Sequence, residues 1–378
     1  MPALPSTQTF LTRLHTLDTP GALLSITWPA LLLYALQEGG LHHPWNTAHI
    51  YLTLTFGLLF LILFVAYSAW TTHRSTSSKT KTQPLFPFTL ISNPGMGLLL
   101  LSMFLLGVPF VTTILLLPQR FQIVNAHTPT NAGIHLLPIT LLTPVGALLA
   151  GLVVGKRFRR FPAEALLLVS VGVAAVAVGL LSSLPFNGGK FWPGTYAYMI
   201  LVGLGLGMAS GPYYFLLYTT VPEKDVAVAT GALNMVRTLG GCVAIAICSS
   251  IHNSYLGSHL GPFLSPEERI RLLQGKSESG RLGALVRPEV RTDVAGVFAR
   301  SYNRQFYVVT GLCFANVGVV ALYMWVRVRK GEFGMAAVKK EENEFFRGDA
   351  VEEEEEKTRE VQEVFQDKEA DACPAGRS

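Results

Sequence analysis

This 378-residue chain predicts an all-α, polytopic membrane protein with about eight transmembrane helices. Three observations carry that expectation. Eight separate stretches of 17 to 26 mostly apolar residues run through the chain, and a hydrocarbon core of about 30 Å needs about 20 helical residues. Charged residues, 15% of the whole, are almost wholly excluded from those stretches. Lys and Arg collect in every second connection between them. A large soluble core is the weaker alternative, because soluble helices rarely exceed about 20 residues without a polar face. Closed β-barrels span with strands that alternate over about 10 residues, which these continuous runs do not do.

The spans are residues 20–36, 47–70, 95–117, 132–155, 163–184, 195–218, 226–251 and 305–326, of which only the first is marginal in length. It runs into Gln37-Glu38-Gly39-Gly40 without a small-residue cleavage pattern, as a retained helix does and a signal peptide does not. The even-numbered gaps are basic: Arg74, Lys79 and Lys81, then Lys156, Arg157, Arg159 and Arg160, then Lys224, then Arg327, Arg329 and Lys330. The odd-numbered short gaps hold only Arg120 and Lys190. Positive charge on the cytosolic side therefore places both termini in the cytosol. Trp28, Trp45, Trp70, Trp192 and Trp325 fall mostly at or just outside span ends, as an interfacial belt requires.

The domain organisation follows: a cytosolic amino terminus over 1–19, two linking helices over 20–70, and a Ser-, Thr-, Lys- and Pro-rich cytosolic linker over 71–94. A six-helix bundle covers 95–327 and includes an extracytosolic loop over 252–304, where Pro266 to Leu273 can form an amphipathic interfacial helix. Residues 328–378 form an acidic tail, since 15 of the 25 acidic residues lie from Glu332 to Asp371. Few apolar residues there predict disorder, either as a plain solvated end or as a docking tail. Six spans divide into two triplets, 95–184 and 195–326, of opposite topology, the construction of a 3+3 inverted repeat. The basic clusters are short, separated and membrane-proximal, which excludes nucleic acid as a partner and leaves membrane lipid.

Helix interiors carry the residues of interest. Gly203, Gly207 and Gly211 recur every four residues and make one smooth face for close helix packing. The overlapping Gly203, Gly205 and Gly207 lack the strand and third glycine of a nucleotide loop, so no cofactor is implied. Pro138, Pro144 and Pro212 each remove a backbone hydrogen bond, either to bend a helix around a cavity or as plain kinks. Arg237 is the one charge well away from both ends of a span. Such a charge costs about 2.5–3.5 kcal/mol unless it faces protein or a watery path; the alternative is snorkelling to the cytosolic end. Asn234, three residues earlier, shares its face. Tyr213, Tyr214 and Phe215 are wall groups of a path or packing anchors, and His135 lies near the outer end of span four. Cys242, Cys248, Cys313 and Cys373 have no metal spacing, and His42, His43 and His49 are too weak a constellation to assign a metal.

Several segments carry a resemblance. Leu117-Pro118-Gln119-Arg120-Phe121-Gln122 followed by Asn131 to Pro138, and Val221 to Gly231 running on to Val236-Arg237-Thr238-Leu239-Gly240-Gly241, resemble fungal major facilitator efflux pumps. Ala35 to Gly40 with Pro44-Trp45-Asn46 resembles the two extra central helices of the fourteen-helix drug:proton antiporter branch, and the likeness covers residues 18–327. It implies multidrug or secondary-metabolite export of small amphipathic compounds, with the proton as coupling ion, at the plasma membrane rather than the vacuole. No enzyme activity is implied. Gly151 to Arg160 is similar to the family's signature between core helices eight and nine, which implies a cytosolic gating role for Lys156, Arg157, Arg159 and Arg160, although the acidic residue often found there is not seen. By the resemblance the amino-terminal half is missing, so the expected partners include a separate amino-terminal half or a second copy. The alternative is a non-transporting half that binds another membrane protein. Chemically, no Asp or Glu lies at a span centre, so this portion lacks an obvious proton-coupling acid.

Overall fold

In a computed structural model the described residues are 19–38, 47–77, 94–154, 162–222, 225–265, 268 and 287–331. They form nine α-helices: α1 Thr19–Glu38, α2 Ala48–Ser77, α3 Pro94–Val124, α4 Pro129–Ile134, α5 Leu137–Val154, α6 Ala163–Ser182, α7 Thr195–Thr220, α8 Val226–His259 and α9 Arg291–Arg329. A single 3-10 turn, Pro288–Val290, leads into α9. The amino terminus, the linker over 78–93, the basic loop over 155–161, the Pro266 to Leu273 segment apart from Glu268, and the acidic tail beyond Gly331 lie outside the described residues.

Seven segments are long and apolar enough to cross a membrane, while α1 contributes only a shorter apolar stretch, Pro20–Leu32. Several helices outrun their apolar stretches. The segment 252–304, expected to be a loop, is helical at both ends: α8 continues through His259 and α9 starts at Arg291. Burial explains the extension, because Tyr255, Leu256 and Val294 to Phe298 pack into the core. Similarly α3 runs past its apolar stretch to enclose Arg120, which is buried. Arg237 is therefore not the only guanidinium inside a long helix.

The span expected over 132–155 is broken. Thr128 caps α4 by accepting the Asn131 amide, Pro129 occupies its first turn, and the chain turns at His135 and Leu136 before α5 begins. Pro138 thus sits in the first turn of α5, where a missing N–H leaves nothing unsatisfied. Pro144 and Pro212 lie inside α5 and α7.

The strongest helix pairings of the bundle are symmetric. α3 packs on α8 and α9, α7 packs on α5 and α6, and α6 packs on α9. Exchanging α3, α5 and α6 for α7, α8 and α9 maps every one of these pairs onto another or onto itself. Triplets of odd helix number related in this way have inverted topology. Glycines set the closest approaches at corresponding places. A Cβ on Gly107 would stand 1.8 Å from the Arg237 carbonyl oxygen and one on Gly240 1.9 Å from that of Phe104, so α3 and α8 cross backbone to backbone. At the α5–α7 crossing a Cβ on Gly207 would stand 2.1 Å from the Thr143 oxygen and one on Gly146 2.7 Å from that of Leu204.

The α1–α2 hairpin forms a satellite against the bundle, with Trp28, Leu32, Phe64 and Leu239 as its core and α8 as its main bundle contact. Trp28 departs from the expected interfacial belt. It lies buried mid-helix with its ring 6.3 Å from that of Phe64, because the hairpin needs a large apolar wedge there.

Candidate functional site

α3, α7 and α8 come together along one polar seam. Tyr214 on α7 donates its hydroxyl to Asn234 Oδ1 on α8 at 2.9 Å, and Asn234 Nδ2 donates to the Thr230 carbonyl at 3.1 Å. One turn further, the Arg237 guanidinium lies over the Phe110 ring of α3, 5.0 Å from its centroid. Tyr214, Asn234, Arg237 and Phe110 are all half-buried. Arg237 is the twelfth residue of the 34-residue α8, which places its Cα about 17 Å from the helix start at 1.5 Å per residue. That is about three turns from the helix start and about a third of the way along α8. α3, α7 and α8 contain no Asp or Glu.

Tyr213 is elsewhere. One residue from Tyr214, it turns about 100° around the helix into the core, where it is fully buried and hydrogen-bonds Ser102 of α3. Ser102 in turn donates to Asn316 Oδ1 of α9 at 2.6 Å. This network ties three helices together, so Tyr213 is a core strut and not part of an open wall. Phe215 is half-buried against the core. Gly203 and Gly207 face α5 at Ile139 and Thr143, and Gly211 faces Ala150.

Three further polar clusters flank the seam. At the end of the bundle where α6 begins and α9 finishes, Glu164 and Arg327 pair at 3.4 Å with both side chains buried, and Arg327 also donates to the Tyr323 hydroxyl at 3.0 Å. At the opposite end, His135 hydrogen-bonds the Tyr196 hydroxyl and clusters with His127, at 4.6 Å, and Phe191, at 4.5 Å, whose rings are 5.8 Å from each other. His127 sits in the connection between α3 and α4, and burial together with the neighbouring His135 pushes its pKa down. Between α8 and α9, His252 Nδ1 meets Ser301 Oγ at 2.9 Å and Gln305 Nε2 at 3.0 Å. Asn316, Ser102, Phe110 and His252 escaped sequence reasoning, because a polar or aromatic residue in an apolar run does not reveal its partner. A cavity of about 620 Å³ also opens at the α3 carboxyl-terminal end, between Asn125, Phe186, Gly189, Lys190, Arg291 and Ala295. None of the seam residues lines it. The basic residues Lys156, Arg157, Arg159 and Arg160 lie outside the described residues, as do His42 and His43. Among the described residues no group of three or more His, Cys, Asp or Glu side chains could hold a metal ion.

Comparison with known proteins places this architecture. An MFS-type transporter, FPY5, from Fusarium mangiferae is 31% identical over 309 residues, covering 82% of this chain and 50% of that protein. The efflux pump aunC of Aspergillus niger (strain ATCC 1015) is 28% identical over 314 residues, covering 82% of this chain and 56% of the pump. The efflux pump bfoC of Aspergillus brasiliensis is 25% identical over 311 residues, covering 82% and 52%. The chain thus spans about half the length of the curated relatives it matches. The family model of the Major Facilitator Superfamily matches residues 21–245. With its all-helical bundle, paired triplets and membrane-length helices, the chain belongs to the Major Facilitator Superfamily, as a multi-pass membrane protein.

Proposed function

We propose that the chain forms the carboxyl-terminal bundle of a proton-coupled efflux transporter for small amphipathic organic compounds in the plasma membrane, with both termini cytosolic. The observation that carries this reading is the seam of Tyr214, Asn234, Arg237 and Phe110, a polar strip where three apolar helices meet. Substrate sites of this architecture lie near the midplane between two bundles that rock against each other. The described residues hold one six-helix bundle, so export calls for a second, supplied by more of the same polypeptide, by a separate half or by another copy. The names of the relatives FPY5, aunC and bfoC support transport and efflux. The carboxylates of the described helices sit at their ends, Glu38, Glu164 and Asp293, and Glu164 is held by Arg327. Within the bundle, His252 is a titratable side chain between α8 and α9.

The test is uptake of amphipathic dyes into everted membrane vesicles energised by a pH gradient. The chain is expressed alone and together with the amino-terminal half of the Fusarium mangiferae relative. Accumulation that a protonophore abolishes and Arg237→Ala reduces, at equal protein abundance, is the expected result. No gradient-dependent accumulation of any dye in either arrangement overturns the reading.

A further inference from the structure

We propose that the Arg237 seam selects organic anions, amphipathic compounds carrying a carboxylate or phenolate on an aromatic or apolar body. The inference rests on the reading of this seam as the substrate path and adds the sign of the charge. A half-buried guanidinium inside an apolar helix is unfavourable without a counter-charge, and none of the three helices that meet there carries a carboxylate. The buried carboxylate of the bundle, Glu164, belongs to Arg327. Arg237 contacts a π face, the Phe110 ring. That contact uses the charge and not a hydrogen bond to an oxygen, and the guanidinium N–H fork suits the two oxygens of a carboxylate. The half-buried Phe110 adds apolar aromatic surface beside the guanidinium.

The neutral groups of the seam agree with this sign. The Tyr214 hydroxyl is given to Asn234, and the Asn234 amide is given to the Thr230 carbonyl, so these groups satisfy one another and do not neutralise Arg237. A cationic substrate would meet a like charge at close range, where Coulomb repulsion opposes binding. An anion would meet the opposite charge on a prepared site.

The experiment uses the purified full chain in phosphatidylcholine nanodiscs, with fluorescein as the aromatic anion and rhodamine 123 as the aromatic cation, read by fluorescence anisotropy. Saturable fluorescein binding, tighter than that of rhodamine, is expected. Arg237→Gln should weaken it about tenfold or more, as loss of a charge-assisted hydrogen bond does, and Arg237→Lys should keep part of it. Asn234→Asp is the second, nearly isosteric variant. It places a carboxylate on the same face three residues from Arg237, and should weaken fluorescein binding with the guanidinium still present. Rhodamine bound as tightly as fluorescein, fluorescein affinity unchanged in both Arg237→Gln and Asn234→Asp, or no binding of either dye overturns the inference. Binding is read without a gradient, so a failure of export leaves this result standing. Vesicles that export rhodamine but not fluorescein would keep the transport reading and overturn the anion.

Discussion

Gly107→Ala tests the α3–α8 crossing most directly. The added methyl would stand 1.8 Å from the Arg237 carbonyl oxygen and 2.8 Å from its carbonyl carbon, against about 3.4 Å for an ordinary contact. The obstacle is helix backbone, so the two helices must separate by about 1.6 Å locally, the shortfall from ordinary contact. A gap of 0.5–1 Å already forfeits a quarter to a half of each dispersion contact along the seam, and overpacking of this kind costs roughly 1–3 kcal/mol. For a bundle of this size that corresponds to a fall in Tm of about 2–12 °C. The molecule supplies its own control: a methyl added at Gly318 on α9 would find nothing within 4 Å, so Gly318→Ala should be neutral or stabilising by up to ~1 kcal/mol through helix propensity. It also supplies its own reporters. Cys242, Cys248 and Cys313 are buried cysteines on α8 and α9, and a thiol-reactive fluorophore follows their exposure on heating once Cys373 is changed to Ser. Equal melting temperatures for Gly107→Ala and Gly318→Ala would refute the backbone crossing.

Other expectations follow from the same packing. Epitope tags at Lys79 and after Gly331 should be accessible only from the cytosol and a tag near Gly280 only from the opposite side, and protease protection that puts Gly280 with the carboxyl terminus would overturn the orientation. Glu164→Gln removes the partner of the Arg327 guanidinium in a buried pair; a loss of about 3–5 kcal/mol is expected, read as a lower Tm, and the double change Glu164→Gln with Arg327→Met should recover part of it. His127 has its pKa lowered from the ordinary 6.5 by burial and by His135, so the unfolded chain binds the proton more readily. The stability it contributes is present above the unfolded value and falls as pH drops through 6.5 toward the lower folded value. His127→Gln should flatten that part of a melting-temperature profile, and an unchanged slope would show that the stack does not carry it.

Much of the fold was legible because a bilayer leaves the backbone no partner but itself. Length and apolarity along the chain then suffice to mark helices such as α6 and α7, whose bounds differ little from their apolar stretches. The four-residue repeat of Gly203, Gly207 and Gly211 likewise marks a face, since residues four apart share one side of a helix. What the pattern cannot carry is the identity of the neighbour. Tyr213 and Tyr214 are adjacent in the chain and chemically identical, yet one joins Ser102 and Asn316 in the core and the other meets Asn234 on the seam. Glu164 reads as an ordinary helix-end carboxylate until α9 returns to bring Arg327 within 3.4 Å. The ends of α8 and α9 are similar, being too polar to read as span and helical because buried contacts hold them. The sequence alone therefore determined that the chain crosses a membrane and roughly where, because the bilayer acts on each segment separately. Only the tertiary structure decided which polar side chains pair, because such pairs form between helices brought together from distant parts of the chain, as Ser102 and Asn316 are across 214 residues.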